Sequence, residues 1–178
     1  MKTPSKDFLA VMVLIGLLVI GLFIWSGNPR TDISHKTSSA LRTARAIESA
    51  VNNFYMEYAY MPTRLTTDTE INTKDNVADF LNIILGLEST TGNPLNKRAI
   101  KFLAVKEGKN NKNGLIYNSA GTAVTGLYDP WGGPYKVLLD ADCDEHLVVH
   151  GKALDRRAAI WSYGPDRKAG TKDDIKTW

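Results

Sequence analysis

The chain contains very little cysteine and little excess charge. Cys143 is the only cysteine among 178 residues, so no disulfide can form within the chain. The 22 basic and 19 acidic residues nearly balance, which leaves a net charge of +3. The fold must therefore be stabilised by a hydrophobic core, and the chain is long enough to bury one.

The signatures of nucleic-acid binding and of the common catalytic sites are also missing. Lysine and arginine are densest at residues 97–101 and 106–112, and both runs lie among Asn and Gly, as is typical of solvated loops. No helix-turn-helix, zinc finger or aromatic RNA-binding motif accompanies them. The chain also has no nucleophile elbow, phosphate-binding loop or zinc-protease helix. We therefore predict no nucleic-acid partner and no enzymatic activity.

One apolar run stands out near the start. Residues 8–25 contain no charge, and as a helix they would span roughly 27 Å, close to the hydrocarbon thickness of a bilayer. Residues 1–7 form a weakly basic leader, since Lys2 and Lys6 outweigh Asp7. This favours a cytoplasmic N-terminus and a translocated C-terminal domain. A cleaved secretory signal is the alternative, but the run is longer than the usual signal core.

Residues 26–62 are predicted to form an amphipathic helix. Its apolar positions alternate in steps of three and four, which gives one stripe along a helix. They are Leu41, Ala44, Ile47, Val51, Phe54 and Tyr58. The helix should end at Met61, because Pro62 disfavours helical geometry in the residue before it.

Residues 63–178 read as one domain of the α+β class. Residues 66–76 are polar and turn-like, and residues 77–84 have the spacing of a short helix with Gly86 as its C-cap. Strand-like runs then follow at residues 100–105, 135–139, 147–149 and 158–161. A helix followed by several strands predicts a small antiparallel sheet packed on the long helix.

The C-terminal tail carries three aspartates in a glycine-rich segment. Asp166, Asp173 and Asp174 lie near Gly164 and Gly170, which permit tight folding. Calcium prefers six to eight hard oxygen ligands from carboxylates and carbonyls. A solvated tail whose aspartates cap turns explains the same residues and is the more common arrangement.

Two other groups of polar residues indicate a metal site less strongly than the tail does. Asp140, Asp142 and Asp144 alternate as at the start of an EF-hand loop, but the required glycine and glutamate are missing, so a polar turn is favoured. His146 and His150 would share one face of a strand without a third ligand, so exposed strand histidines are favoured.

Several features of residues 8–62 and of the domain that follows together resemble a known family. Phe8 is followed by Gly21 and Pro29, and residues 46–62 end in Tyr-Met-Pro. The domain adds Thr-Gly-Asn-Pro at residues 91–94, Asp-Pro-Trp-Gly-Gly-Pro-Tyr at residues 129–135, and a tail with Ser-Tyr-Gly-Pro-Asp. The whole pattern resembles the pseudopilins of bacterial type II secretion, in particular the major pseudopilin. Of these motifs, the turn and the tail are the most specific.

This resemblance implies a calcium site in the tail. Asp166 and one or both of Asp173 and Asp174 would donate side-chain oxygens, and backbone carbonyls near Ser162 and Tyr163 would complete the set. The sequence departs from the family pattern at one position of this loop. Arg167 stands where the family has a glycine, so the loop backbone is expected to differ.

The start of the chain departs from the family at its processing site. The prepilin peptidase requires a glycine immediately before the phenylalanine, but Asp7 precedes Phe8, and Met12 replaces the glutamate of the family. Without cleavage no amine is created at membrane level, and an unpaired carboxylate in lipid would cost several kcal/mol. We therefore expect an unprocessed leader.

The sequence thus predicts a non-enzymatic, single-span, pilin-like subunit of a type II secretion or related pilus machine. It would sit in the bacterial inner membrane with a periplasmic domain and contact lipid, other pseudopilins or inner-membrane components of the machine. A homo-oligomer is also compatible. Two alternatives remain: a filament subunit cleaved at an unorthodox site, and a membrane-anchored hydrolase or ligand-binding domain in the periplasm.

Overall fold

The computed structural model describes residues 29–74, 80–89 and 91–178. These residues form a long helix α1 (Pro29–Tyr58) and a short helix α2 (Asn82–Leu85). Their strands are β1 (Glu70–Asn72), β2 (Gly114–Tyr117), β3 (Val124–Tyr128), β4 (Lys136–Leu139), β5 (Leu147–Val149), β6 (Lys152–Leu154), β7 (Ala158–Ser162) and β8 (Ile175–Lys176). The predicted α+β class is confirmed.

The chain divides into two compact units, residues 1–35 and 36–178. Of the first unit the structure describes residues 29–35, which are helical and exposed from residue 31 onward. The predicted leader, the apolar run at residues 8–25 and the processing-site residues Asp7, Phe8 and Met12 lie outside the described residues. Within the described part of the chain, no helix combines the length and apolar character needed to cross a membrane.

The apolar stripe of α1 is buried as its spacing predicts. Ala44, Ile47, Val51 and Phe54 have no exposed surface, whereas Leu41 and Tyr58 at the ends of the stripe are half-buried. The central residues of the stripe join one core cluster with side chains of β4 and β7, namely Val137, Leu139 and Ile160. The helix therefore packs on the sheet through the predicted face.

The helix ends at Tyr58, three residues before the predicted end at Met61. Ala59 takes a left-handed conformation with φ of 58° and closes the last turn by donating its N–H to the Tyr55 carbonyl at 2.7 Å. Tyr60 then stacks on Tyr58 and donates its hydroxyl proton to the Leu95 carbonyl at 2.7 Å. These tertiary contacts redirect the chain before Pro62 is reached.

A four-stranded antiparallel sheet forms the centre of the second unit, in the order β1–β4–β7–β8. Alternate side chains face opposite sides, as the pleat requires. Val137 and Ile160 face the core with the helix, while Leu138 and Trp161 belong to a second cluster with the β5–β6 hairpin. The sheet is therefore covered on both faces.

Thr73 links the β2–β3 hairpin to this sheet. Its N–H donates to the Tyr135 carbonyl, and its carbonyl accepts the Leu127 N–H, each at 2.9 Å. The buried Thr73 hydroxyl donates to the Leu127 carbonyl at 2.5 Å and accepts the Tyr135 N–H at 2.9 Å. One side chain thus satisfies polar groups of two elements.

The strand predictions at residues 135–139, 147–149 and 158–161 are confirmed to within a residue or two. The prediction at residues 100–105 is wrong, because Phe102 and Leu103 both donate their N–H groups to the Ile84 carbonyl and no ladder forms. The segment 66–76 contains β1, although its sequence predicts turns throughout. The short helix is present in part as α2, with Gly86 at φ of 70° as its C-cap, and residues 77–79 of its predicted range lie outside the described residues.

Candidate functional site

The turn that leads into β4 is closed by the carboxylate of Asp129. Asp129 is 1% exposed, and its Oδ1 accepts the N–H groups of Trp131 and Gly133, each at 2.8 Å. Its own N–H donates to the Gly133 carbonyl at 2.8 Å. Gly132 adopts φ of 90°, a conformation that favours glycine. The turn is therefore fixed by its sequence.

The same carboxylate connects this turn to the C-terminal tail. Ser162, the last residue of β7, donates its hydroxyl proton to Asp129 Oδ2 and accepts the Gly164 N–H at 3.2 Å. Arg167 donates from its guanidinium to the Trp131 carbonyl. Residues 129–135 and 162–176, which we call the turn–tail unit, are therefore one structural unit.

Within the tail, Thr171 lies between two of the predicted calcium ligands. Its Oγ1 is 2.6 Å from Asp173 Oδ1 and 3.4 Å from Asp166 Oδ1. The hydrogen bond from Thr171 lowers the pKa of Asp173, and the Asp166 N–H, 3.3 Å from Asp173 Oδ2, contributes in the same direction. Asp173 therefore presents an ionised carboxylate at neutral pH.

Asp174 has a buried oxygen without a partner. Its side chain is fully buried, and Oδ2 accepts the Gly170 N–H at 3.0 Å and pairs with Lys176 Nζ at 3.2 Å. Oδ1 has no hydrogen-bond partner. A buried carboxylate oxygen without a partner is rare and commonly marks an ion or water position.

Two backbone conformations shape the loop. Gly164 has φ of 67°, and a Cβ at this position would lie 2.3 Å from the Asp173 carbonyl oxygen, so no side chain fits. Arg167 has φ of 57°. Arg167 thus lies in the left-handed region that favours glycine, and its side chain binds the turn.

The predicted ligands Asp166, Asp173 and Asp174 do not form a group whose three carboxylate oxygens all approach within 4.8 Å. In the described part of the chain, Asp68, Asp140 and Asp142 do form such a group. It lies at the far end of β4. Ala141 donates its N–H to Asp68 Oδ1 at 2.8 Å.

The predicted turn at residues 140–145 is present in the structure. The buried Asp140 carboxylate accepts the N–H groups of Asp144 and Glu145, each at 3.0 Å. Burial raises the pKa of Asp140, and the nearby acidic groups of Asp142 and Asp68 raise it further. The sequence indicated this turn but did not indicate Asp68, which the pairing of β1 with β4 places beside it.

The two histidines lie at the ends of β5 and are exposed, as predicted. His146 Nδ1 is 3.3 Å from a carboxylate oxygen of Asp155, and the His150 ring meets the Trp161 ring edge-on at 5.5 Å between centroids. Neither histidine joins a metal-type cluster within the described residues.

Comparisons of the chain with protein-family models, curated proteins and solved structures found no match. Its function is therefore inferred from its own residues and their geometry.

Proposed function

We propose that the chain is a membrane-anchored, pilin-like structural subunit of a type II secretion or related pilus-like machine. The apolar run at residues 8–25 would anchor it in the bacterial inner membrane, with the leader in the cytoplasm and residues 63–178 in the periplasm. Its partners would be other pseudopilins or inner-membrane components of the machine. The role is structural and not enzymatic.

The observation that carries this proposal is the turn–tail unit. Its two parts are the most specific motifs of the pseudopilin resemblance, and they lie about 30 residues apart in sequence. They meet through the Ser162–Asp129 and Arg167–Trp131 hydrogen bonds. Residues that match a family pattern and also contact one another support a shared architecture more strongly than separate matches.

The arrangement of α1 and the sheet is a second support. In the second unit the helix buries one apolar stripe against β4 and β7, while its other positions, such as Arg42, Arg45 and Ser49, remain exposed. An exposed polar helix face offers contacts to partner subunits, and the buried face of α1 attaches the helix to the sheet.

We further propose that the leader is retained. Asp7 replaces the glycine that the peptidase requires, and Met12 replaces the glutamate that would pair with a newly formed amine. An uncleaved stem has no such amine, so an apolar residue at position 12 is favourable in lipid. The chain would then serve as a scaffold or accessory subunit.

Purification of a tagged full-length chain from native membranes tests the structural role. We expect inner-membrane components of a secretion or pilus machine to co-purify after mild detergent extraction. A chain with its residues 8–25 replaced by an unrelated apolar span of equal length is the matched control, because it separates specific contacts from shared membrane residence. A monomer without partners that hydrolyses a substrate would contradict the proposal.

We also propose that the tail binds calcium. Asp166, Asp173 and the unpartnered Oδ1 of Asp174 would supply side-chain oxygens, with backbone carbonyls near Ser162 and Tyr163. Hard carboxylate and carbonyl oxygens fit this ion. Bound calcium would offset two of the three carboxylate charges, while Lys176 pairs with Asp174, and it would hold the loop closed.

Calcium is therefore expected to raise the thermal midpoint of the purified full-length protein. At 100 times the dissociation constant, binding stabilises by about 2.7 kcal/mol, which corresponds to a shift of roughly 5–10 °C for a domain of this size. Asp174→Asn should remove most of the shift, because an amide oxygen binds the ion less strongly. Asp155→Asn, at an exposed position, should retain it. An unchanged midpoint at millimolar calcium would contradict the site.

A further inference from the structure

The two ends of the central sheet carry opposite charge. At the end where β4 begins, the loop that precedes β2 presents three exposed lysines, Lys106, Lys109 and Lys112, against one exposed carboxylate, Glu107. All four lie around a concavity of about 370 Å³ that Pro130 also lines. Lys112 Cγ and Arg167 Nη2 each lie 3.3 Å from the position of a Cβ on Gly132. We call the three lysines and Arg167 the basic end.

The acidic end lies where β4 finishes. Asp68 and Asp142, both exposed, belong to the carboxylate group described above. The turn that follows adds Asp144 and Glu145, and Asp155 projects from the β6–β7 connection with 93% of its side chain exposed. Residues 140–145 include four carboxylates and no cationic residue.

The register of the sheet places these ends apart. Asn113 donates its N–H to the Asp129 carbonyl, which holds the basic end near the start of β4. Asp140, immediately after the last residue of β4, donates its N–H to the Arg157 carbonyl at the opposite end of the strand. The five residue steps of extended chain from Tyr135 to Asp140 span about 17 Å. The two patches therefore point to opposite ends of the domain.

Within the described residues, ion pairs leave each patch with uncompensated charge of its own sign. In the described residues, no ion pair within 4.0 Å joins Lys106, Lys109 or Lys112 to a carboxylate. At the acidic end Arg157 pairs with Glu145, and His146 pairs with Asp155. Asp68 and Asp142 have no cationic partner within 4.0 Å among the described residues. Carboxylates this close repel one another and are stabilised by a nearby cation.

We propose that the basic end of one copy of this chain docks on the acidic end of a second copy. Because the two patches lie at opposite ends, the contact is heterologous, and each copy keeps one patch available for another neighbour. Complementary charge would steer and orient the copies. The inference depends on the charge distribution alone and does not require the pilin-like role.

The exposed Cys143 provides a direct test, because it lies within the acidic end and is the only cysteine. We expect full-length Lys109→Cys protein, oxidised in native membranes, to give a ladder of disulfide-linked oligomers. A disulfide requires Cα atoms about 4.4–6.8 Å apart, so it reports direct contact. Unaltered protein, with Cys143 alone, and Lys109→Cys combined with Cys143→Ser should give dimers at most.

The yield of disulfide-linked oligomers also tests whether the contact between copies is electrostatic. At roughly 1 M salt the Debye length falls to about 3 Å, and the ladder yield should fall several-fold. Lys106→Glu with Lys112→Glu should reduce it similarly, and adding Asp142→Lys and Asp155→Lys should restore it.

Met56→Cys, on a residue that is 83% exposed on α1, is the matched control and should give no ladder. The absence of a ladder from Lys109→Cys would overturn the proposal. So would a ladder that neither salt nor charge reversal reduces, or a cross-link from the introduced cysteine to a different protein in place of a second copy.

Discussion

Asp129→Ala is expected to destabilise the domain by about 3–5 kcal/mol, since it removes hydrogen bonds to a charged acceptor and leaves buried donors unsatisfied. The carboxylate accepts hydrogen bonds from the N–H groups of Trp131 and Gly133 and from the hydroxyl of Ser162. Alanine cannot replace any of these contacts. The turn would lose its closure, and the tail would lose its attachment to the turn.

Urea unfolding of the full-length protein in detergent, followed by tryptophan fluorescence, measures this loss. Asp155→Ala removes an exposed carboxylate and should change the free energy of unfolding by less than about 0.5 kcal/mol. Asp129→Asn keeps the shape of the side chain, and its loss of unfolding free energy should lie between those of Asp129→Ala and Asp155→Ala. A loss below about 1 kcal/mol for Asp129→Ala would mean that the turn and the tail are held together by other contacts.

Phe54→Ala is expected to cost about 3–5 kcal/mol, the range for truncating a fully buried phenylalanine. Phe54 has no exposed surface and lies near the end of the helical stripe. Its ring contacts those of Tyr58, Tyr60 and Phe102 at centroid distances of 4.8, 5.8 and 5.3 Å. Alanine would leave a cavity where α1 meets the segment at residues 100–105.

Met56 provides the matched control for this prediction. It lies two residues further along the same helix and is 83% exposed, so Met56→Ala should change the free energy of unfolding by less than about 0.5 kcal/mol. Equal effects of the two substitutions would show that the helix does not pack through the proposed face.

Local periodicity explains which elements could be predicted from the sequence. The three- and four-residue spacing indicated the buried face of α1, and the compact apolar runs indicated β4, β5 and β7. Residues 100–105 have an apolar character similar to that of those runs. Their partner is the Ile84 carbonyl and not a strand, a long-range contact that local pattern does not encode.

The short strands escaped prediction for the same reason. β1 lies in a polar segment and is a strand because Ile71 pairs with Val137 of β4. Thr73, immediately beyond it, reads as a turn residue in sequence but satisfies polar groups of Leu127 and Tyr135. Pairing partners more than 50 residues away decide these conformations.

The candidate site could be predicted in parts but not as a whole. The turn at residues 129–135 and the aspartate-rich tail were each evident from their glycines, prolines and carboxylates. Their union depends on the pairing of β4 with β7, which brings Ser162 to Asp129. The sequence suggested only a backbone carbonyl near Ser162 as a calcium ligand, whereas its hydroxyl links the two motifs.

The N-terminus of the protein purified from its native membranes is the most direct test of the proposed role. Intact mass and sequencing of the terminal peptide would distinguish the two forms. A membrane-bound chain that begins at Met1 is the predicted result, and it would identify a permanently anchored relative of the pseudopilins. A chain that begins at Phe8, with a methylated amine, would show that the peptidase accepts Asp7 and would contradict the account.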